Sequence, residues 1–266
     1  MAKTRLDQRL VDEGHFPSRP KAKAAIMAGL VFVNDVRVDK AGTAVASDAK
    51  LEVRGQAIPY VSRGGLKLAR ALQVFPIVVT DRVVIDVGAS TGGFTDCLLQ
   101  NGAAKVYAID VGYGQLDWSL RQDPRVVVME RTNIRTVTPE MLADVPTLAV
   151  VDVAFISLTK FFQQLLALLA DHGDVICLIK PQFEAGREAV GKKGVVRDPA
   201  VHRAVLVKLT STLQEFGAGL CGLDHSPIRG PEGNIEYLAH FSKGAPKVSA
   251  ESMANVIVER AHTQAH

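Results

Sequence analysis

The sequence has few cysteines, no long apolar run and no apolar segment at its start. Three cysteines occur among 266 residues, and no two of them are spaced as C-x-x-C. This argues for reduced thiols rather than a zinc or disulfide framework. No charge-free apolar stretch reaches the roughly 18 residues of a membrane-spanning helix. The first 14 residues alternate charges with leucines, unlike a signal peptide. We therefore expect a cytoplasmic protein without a membrane span.

The chain also lacks the two common phosphate-binding loops. After the apolar segment VVIDV, Gly88, Gly92 and Gly93 fall within six positions, and a helical pattern follows. This spacing predicts a strand, a tight turn and a helix. A dinucleotide loop would read G-x-G-x-x-G, but Ser90 replaces its second glycine, and the lysine of a phosphate loop is missing. We therefore expect a nucleoside ligand without a pyrophosphate.

Basic residues are concentrated in the first part of the chain. Residues 1–75 carry 13 Lys and Arg against 7 Asp and Glu, whereas residues 76–266 carry 18 against 21. A basic module joined to a mildly acidic one indicates binding of a polyanion such as nucleic acid by the front of the chain. A solvated, lysine-rich surface is the alternative.

The first 60 residues predict a small α+β module. Residues 5–13 read as a short helix, a second helix begins after Ser18 and ends at Gly29, and residues 30–40 read as a hairpin. The segments RLDQRLVDEG, SRPKAKAAIMAG and VFVNDVRV together resemble the S4 RNA-binding domain. This resemblance implies a basic helical face for structured RNA; an unrelated two-helix dimerisation module is the alternative. The expected RNA-binding residues are Arg5, Arg19, Lys21, Lys23 and Arg63.

From residue 83 to Lys180, apolar strands alternate with helical patterns, including residues 116–122, 139–145 and 158–173. This alternation predicts a parallel sheet with helices on both faces. A helix from about His202 to Phe216, two further strands and a helical tail complete the chain. The expected domains are residues 1–60, 61–244 and 245–266. A polar segment lies between Lys180 and the helix that begins at about His202, and it contains a basic loop that could close over RNA or remain solvated. The basic residues of this loop are Arg187, Lys192, Lys193 and Arg197.

The expected ligand site lies beyond the carboxyl ends of the strands, where the strand order reverses. The second strand ends at Asp110, whose carboxylate can accept hydrogen bonds from both hydroxyls of a ribose. S-adenosylmethionine (SAM) fits because it is a nucleoside without a pyrophosphate, and Asn133 could meet its adenine. A glycine turn that only serves helix packing is the alternative. The expected cofactor-binding residues are Asp86, Gly88, Ser90, Thr91, Gly92, Gly93, Phe94, Asp110 and Asn133.

Four charged residues stand at conspicuous positions: Lys67 before the sheet, Asp152 in the fourth strand, Lys180 after the fifth, and Glu236 in a later strand. The ends of strands four and five flank one crevice, so Asp152 and Lys180 should meet there. A structural ion pair is the alternative. The four residues, in this chain order, resemble the catalytic Lys-Asp-Lys-Glu set of the FtsJ class of ribose 2′-O-methyltransferases. Where that class has an acid after the third strand, this chain has Asn133.

The S4-like front and the motifs VSRGGLKL, DVGASTGGFTD, ERTNIR, VVDVAFISL, IKPQFEAG and GNIEYL together resemble the TlyA family, often labelled hemolysin A. The resemblance implies an α/β fold, with a Rossmann-like SAM-dependent methyltransferase sheet and a small N-terminal α+β S4-type RNA-binding domain. It also implies methylation of cytidine ribose 2′-hydroxyls in ribosomal RNA. The expected partners are therefore ribosomal RNA or ribosomal subunits, without a membrane and without a metal.

The chemistry of the expected reaction assigns roles to the four charged residues. A ribose hydroxyl needs a base to become a good nucleophile, and Lys180 is the candidate. Lys67 would supply a neighbouring positive charge, while Asp152 and Glu236 would hold the ammonium groups in place. The cysteines fall in a helix or in apolar strands, which disfavours covalent methylation of a base carbon. The segment DVAFIS after the fourth strand differs from the Asn/Asp-Pro-Pro-aromatic loop that is usual in methyltransferases of exocyclic amines, which disfavours that reaction. A non-catalytic ribosome assembly factor and a haemolysin remain the alternatives.

Overall fold

The computed structural model describes residues 3–27, 29–54, 58–191 and 194–263. Contacts divide the chain into two compact units, Met1–Val61 and Ser62–His266. Lys192 and Lys193 of the expected basic loop lie outside the described residues.

The first unit is a small α+β module. Its helices pack on each other through Leu6, Leu10 and Ile26, which are fully buried. A two-residue turn at Asn34 and Asp35, both with positive φ, joins two antiparallel strands, so the predicted hairpin is confirmed. The elements are β1 (Lys3–Arg5), α1 (Leu6–Asp12), α2 (Arg19–Met27), β2 (Val31–Val33), β3 (Val36–Arg37), β4 (Ala44–Ala46) and β5 (Leu51–Val53). β1 pairs with β4, and β2 lies between β3 and β5.

The second unit is built on one sheet of seven strands; α3 precedes the first strand, α9 follows the last, and the other helices lie between strands in the chain. The strands are β6 (Val83–Val87), β7 (Lys105–Ile109), β8 (Val126–Met129), β9 (Leu148–Val151), β10 (Asp174–Ile179), β11 (Ala218–His225) and β12 (Tyr237–Lys243). The helices are α3 (Gly64–Val74), α4 (Gly93–Gln100), α5 (Trp118–Arg121), α6 (Phe162–Leu168), α7 (Pro181–Glu184), α8 (Pro199–Gln214) and α9 (Glu251–Thr263).

The strand order is β11-β12-β10-β9-β6-β7-β8. The five strands from β6 to β10 are parallel, as predicted, and all four residues of β9 are buried. β12 runs antiparallel to both β10 and β11; the sequence pattern predicts these two later strands without a direction. The reason for this direction is the short connection from β11 to β12, which turns the chain back without a crossover helix. The strand order reverses between β6 and β9, where the ligand site was expected.

Three predicted helices are shorter than expected, because backbone groups find partners outside a helix. Residues 116–122 form only the single turn of α5. Residues 139–145 form a 3-10 turn at Pro139–Met141, and the N–H of Asp144 donates to the hydroxyl of Tyr107. α6 stops at Leu168, and the N–H of Ala170 donates to the carbonyl of Pro146. Among the described residues, the helices are all too short or too polar to cross a membrane.

Candidate active site

The glycine turn between β6 and α4 packs directly against the end of β9. Gly88 has φ of +83°, a conformation that favours glycine. A Cβ atom at this position would lie 2.5 Å from the carbonyl oxygen of Asp152. The N–H of Asp152 in turn donates to the carbonyl of Val87 at 3.0 Å. The expected cofactor turn and the expected catalytic carboxylate are therefore held together by backbone contacts.

Asp110 lies immediately after β7 and faces the same turn. One carboxylate oxygen accepts the N–H of Ser90 at 2.8 Å, and the other accepts the N–H of Gly112 at 2.7 Å. Each carboxylate oxygen has a further lone pair that can accept a hydroxyl. The two backbone donors thus fix the orientation of a carboxylate that remains able to bind a ribose.

A cavity of about 800 Å³ joins these features, and its wall includes Lys67, Asp152 and Lys180. Seven of the nine expected cofactor residues line it: Gly88, Ser90, Thr91, Gly93, Phe94, Asp110 and Asn133. The side-chain oxygen of Asn133 accepts the N–H of Arg135 at 3.1 Å. An adenine contact from this residue would therefore come from its NH₂ group.

Two of the expected cofactor residues, Asp86 and Gly92, lie outside the cavity wall. Asp86 is buried beneath the turn and accepts the hydroxyl of Thr95 at 2.6 Å. Burial raises the pKa of Asp86 to about 7, and the charge of Asp152 adds to the shift. A Cβ atom on Gly92 would lie 2.1 Å from Cδ1 of Leu120, so this glycine serves packing against α5. Sequence spacing alone could not separate these supporting positions from the cavity wall.

The four charged residues form one continuous chain of ion pairs. Nζ of Lys180 lies 2.5 Å from Oδ1 of Asp152, and Nζ of Lys67 lies 3.5 Å from Oδ2 of the same carboxylate. Nζ of Lys67 also lies 2.7 Å from Oε2 of Glu236, which is fully buried. Lysines and carboxylates therefore alternate, so that each group has a partner of the opposite kind in a place where a single charge would be costly.

Different elements bring the four residues together. α3 carries Lys67 within its first turn, Asp152 follows β9, Lys180 lies between β10 and Pro181, and Glu236 precedes β12. Gly230 also contributes to the position of Glu236, although no sequence pattern pointed to this residue. A Cβ atom on Gly230 would lie 2.2 Å from Oε1 of Glu236.

An aromatic residue at the cavity wall was also missed. Phe155 follows the Asp152 strand end, is 90% exposed and has φ of +64°, which is unusual for a bulky side chain. Its ring centroid lies 5.0 Å from that of Phe183. The only sequence signal was the position of Phe155 in the loop after the fourth strand. An exposed aromatic ring beside a nucleoside-sized cavity is suited to stacking on a base.

The five expected RNA-binding residues differ in their environments and do not all belong to the same unit. Lys21 and Lys23 are exposed on α2, as predicted. Arg5 and Arg19 both contact the buried carboxylate of Asp7, at 3.0 and 2.9 Å, and their guanidinium groups hold the pKa of Asp7 well below its usual range. The two arginines remain about half exposed. Arg63 belongs to the second unit, where it lines the 800 Å³ cavity.

The cysteines lie outside the cavity wall. Cys97 and Cys177 are buried, Cys221 is exposed on β11, and burial raises the pKa of the Cys177 thiol. A thiolate nucleophile for methylation of a base carbon is therefore not provided by the cavity. Within the parts of the chain that the structure describes, no cluster of His, Cys, Asp and Glu is arranged to hold a metal ion.

Comparison with known proteins identifies the two domains of the chain. The family model described as FtsJ-like methyltransferase matches residues 60–243, and the S4 domain model matches residues 4–51. The chain is 51% identical to the Bacillus subtilis protein named "Putative rRNA methyltransferase YqxC", over 99% of this chain and 94% of that protein. It is 45% identical to the 16S/23S rRNA (cytidine-2′-O)-methyltransferase TlyA of Mycobacterium tuberculosis, over 88% of each. A solved structure from Streptococcus thermophilus, described as a "putative hemolysin", superposes with a TM-score of 0.79 at 46% identity, over 99% of this chain and 97% of that one.

Proposed function

This chain belongs to the TlyA (hemolysin A) family of ribosomal RNA 2′-O-methyltransferases, and we propose that it uses Lys180 to activate a cytidine 2′-hydroxyl beside SAM bound at Asp110. The activity is methyl transfer to ribose in ribosomal RNA. The observation that carries the assignment of residues is the ion-pair chain from Lys180 to Glu236, which borders the cavity that also contains the fixed carboxylate of Asp110.

The residues present fit SAM. Asp110 offers acceptors for both ribose hydroxyls, and Asn133 offers an amide for the adenine. Gly88 and Gly93 leave room for close approach of a ligand to the backbone, because neither has a side chain. When bound, SAM supplies a methyl group on a positively charged sulfur, so the reaction needs no metal to activate the methyl.

The chain's own contribution is to hold the acceptor and to move its proton. Lys180, in its neutral amine form, would accept the proton of the 2′-hydroxyl as the oxygen attacks. The resulting ammonium is then stabilised by Asp152, whose Oδ1 lies 2.5 Å from Nζ. Lys67 bridges Asp152 and Glu236, so the carboxylate that orients Lys180 is itself fixed. Positioning of the hydroxyl accounts for most of the rate in such a displacement.

RNA recognition is assigned mainly to the first unit. Lys21 and Lys23 on α2 and the half-exposed Arg5 and Arg19 provide positive charge for phosphates. Phe155 provides a stacking surface at the cavity for the base of the target nucleotide.

A non-catalytic assembly factor would bind ribosomal RNA as well, but it would not need two lysines and two carboxylates, buried or half-buried, beside a ligand cavity. Such groups are costly to bury and are characteristic of functional sites. The same cluster favours the methyltransferase over the lytic activity that the hemolysin label suggests, because lysis of a membrane does not call for it.

The experiment that tests the proposal is single-turnover transfer of labelled methyl to isolated ribosomal subunits, followed by mass mapping of the RNA. Lys180→Ala should lower the rate by roughly two to four powers of ten, the usual effect of a positioned base, with little change in SAM affinity. Lys180→Arg should not restore the rate, because a guanidinium does not lose its proton at workable pH. A near wild-type rate for the arginine variant would exclude Lys180 as base, and a product without ribose methylation would exclude the proposed function.

A further inference from the structure

A smaller cavity, of about 490 Å³, shares the side chain of Phe155 with the active-site cavity. We call it the base pocket and define it by the residues that line it: Phe155, Gln182, Phe183, Ala185 and Val190. We propose that the base pocket receives the base of the target nucleotide, and that the amide oxygen of Gln182 selects cytosine by accepting a hydrogen bond from its exocyclic amine. This inference rests on the proposed function, because it assumes a ribose of RNA as the methyl acceptor.

The lining of the base pocket suits a neutral planar ring. Two of its side chains are aromatic, with ring centroids 5.0 Å apart and planes inclined at 52°, and two are aliphatic. Of the described residues that line the pocket, none carries a charge, so a phosphate would find no cation there. Aromatic rings stack on bases of every kind, which gives affinity with little sequence selectivity. Selectivity must therefore come from the remaining side chain, Gln182.

Gln182 contributes an acceptor that has no donor. Its amide oxygen is buried and has no hydrogen-bond partner within the part of the chain that the structure describes. A buried acceptor without a donor costs free energy, and such groups are rare in folded proteins. A bound base with an N–H group at this point would remove that cost. Cytosine carries an amine on its exocyclic carbon, whereas uracil carries a carbonyl oxygen there, which would face the amide oxygen without a proton between them.

The short helix α7 holds this acceptor at a fixed position relative to Lys180, the proposed general base. Lys180 immediately precedes α7, and Gln182 is the second residue of the helix. Two backbone hydrogen bonds close the turn. The N–H of Phe183 donates to the carbonyl of Lys180 at 2.9 Å, and the N–H of Ala185 donates to the carbonyl of Pro181 at 2.8 Å. A 2′-hydroxyl at Lys180 and a base at Gln182 can therefore belong to one nucleotide.

The loop that contributes Phe155 to the pocket is tied to the same helix. Oε1 of Glu184, the last residue of α7, accepts the N–H of Leu158 at 3.0 Å, which anchors the end of this loop. The ring of Phe155 in turn contacts that of Phe183 on α7. Because Phe155 lines both cavities, a nucleotide can extend past its ring with the ribose at Lys180 and the base in the base pocket.

The test measures the ratio of kcat/KM for two substrates: ribosomal subunits with the cytidine that the wild type methylates, and the same subunits with uridine at that position. The wild type should prefer cytidine roughly 5- to 150-fold, the usual effect of leaving a buried polar group unpaired. Gln182→Met removes the acceptor at similar length and should lower the ratio toward one. Gln182→Glu should keep the ratio, because a carboxylate only accepts hydrogen bonds. Gln73→Met, the same substitution at an exposed residue of α3 outside both cavities, is the matched control.

Damage to the fold lowers both rates together, whereas loss of the acceptor changes their ratio. A ratio for Gln182→Met equal to that of the Gln73→Met control would overturn the proposal, as would loss of the ratio in Gln182→Glu or equal use of both substrates by the wild type. Should Gln182→Met fail to fold, Gln182→Ala, which also lacks the acceptor, is measured in its place. A wild type that methylates no ribose would overturn the proposed function together with this inference. An active wild type whose ratio survives in Gln182→Met would overturn this inference alone.

Discussion

The ammonium of Lys67 lies 2.7 Å from Oε2 of Glu236, a carboxylate with no exposure to solvent. Lys67→Met would leave that charge buried without its partner, so we expect a loss of about 3–5 kcal/mol in the free energy of unfolding. Glu236→Gln in the same chain should recover most of the loss, because it removes the unpaired charge. Denaturant unfolding measures both effects. Lys247→Met is the control: it breaks an exposed pair with Glu215 and should cost under about 1 kcal/mol. Equal losses at the two lysines would contradict this account.

Replacing Asp110 by Asn tests the ribose assignment with almost no change in shape. The variant loses a charged acceptor, so SAM affinity should fall by roughly 5- to 150-fold, equivalent to about 1–3 kcal/mol. Isothermal calorimetry of the full chain gives the affinity. Asp81→Asn is the matched control, since Asp81 is exposed before β6, at the opposite end of that strand from the glycine turn. Unchanged SAM affinity in the Asp110 variant would remove this residue from the site.

Phe155→Ala should weaken recognition of the target nucleotide while leaving SAM affinity unaltered. Loss of one base–aromatic stack is worth about 1–3 kcal/mol, so kcat/KM for ribosomal RNA should fall roughly 5- to 150-fold. Phe155→Tyr should keep most of the activity, because the ring is retained. Trp118→Ala, another exposed aromatic residue but outside the cavity wall, should have little effect on kcat/KM. If Phe155→Ala behaved like Trp118→Ala in methyl transfer, the stacking role would be wrong.

Asp86 predicts a pH dependence of stability. Because its folded pKa of about 7 lies above the ordinary value of 3.8, protons bind more tightly to the folded state. Its contribution is complete below about pH 4 and declines as the pH rises toward 7, by at most about 4 kcal/mol. Asp86→Asn retains an acceptor for Thr95 but cannot ionise, so its stability relative to the wild type should increase from pH 4.5 to 7.5. The free energy of unfolding of both proteins should be measured across this pH range. A difference between them that does not change with pH would refute the assignment.

Periodic sequence patterns predicted the secondary-structure elements more successfully than they predicted the contacts between elements. The apolar strands from Val83 to Ile179 and the glycine turn follow from local spacing, because burial on both faces imposes continuous apolar runs. The direction of β12 was not predictable from its own residues, since an antiparallel strand at this position has the same apolar pattern. It depends on the length of the connection after β11.

The same limit applies within the site. Lys67, Asp152, Lys180 and Glu236 could be named because charges in or beside apolar segments are conspicuous, and the structure joins all four by ion pairs. Gly230 could not be named, because the space that it leaves for Glu236, 6 residues later, depends on a tertiary contact that local spacing does not show. Asp86 and Gly92 could not be separated from the cavity-lining residues of the turn, because a turn motif does not show which of its residues point inward.

The position of β12 between β10 and β11 has a consequence for the synthesis of this protein on the ribosome. Glu236 is made long after Lys67, and the strand that follows it must insert between two strands that have already left the ribosome. A nascent chain that ends before Glu236 lacks β12, which pairs with β10, and it also lacks the carboxylate of Glu236, which pairs with Lys67. If the four residues act as proposed, the site is complete only when nearly the whole polypeptide has been translated.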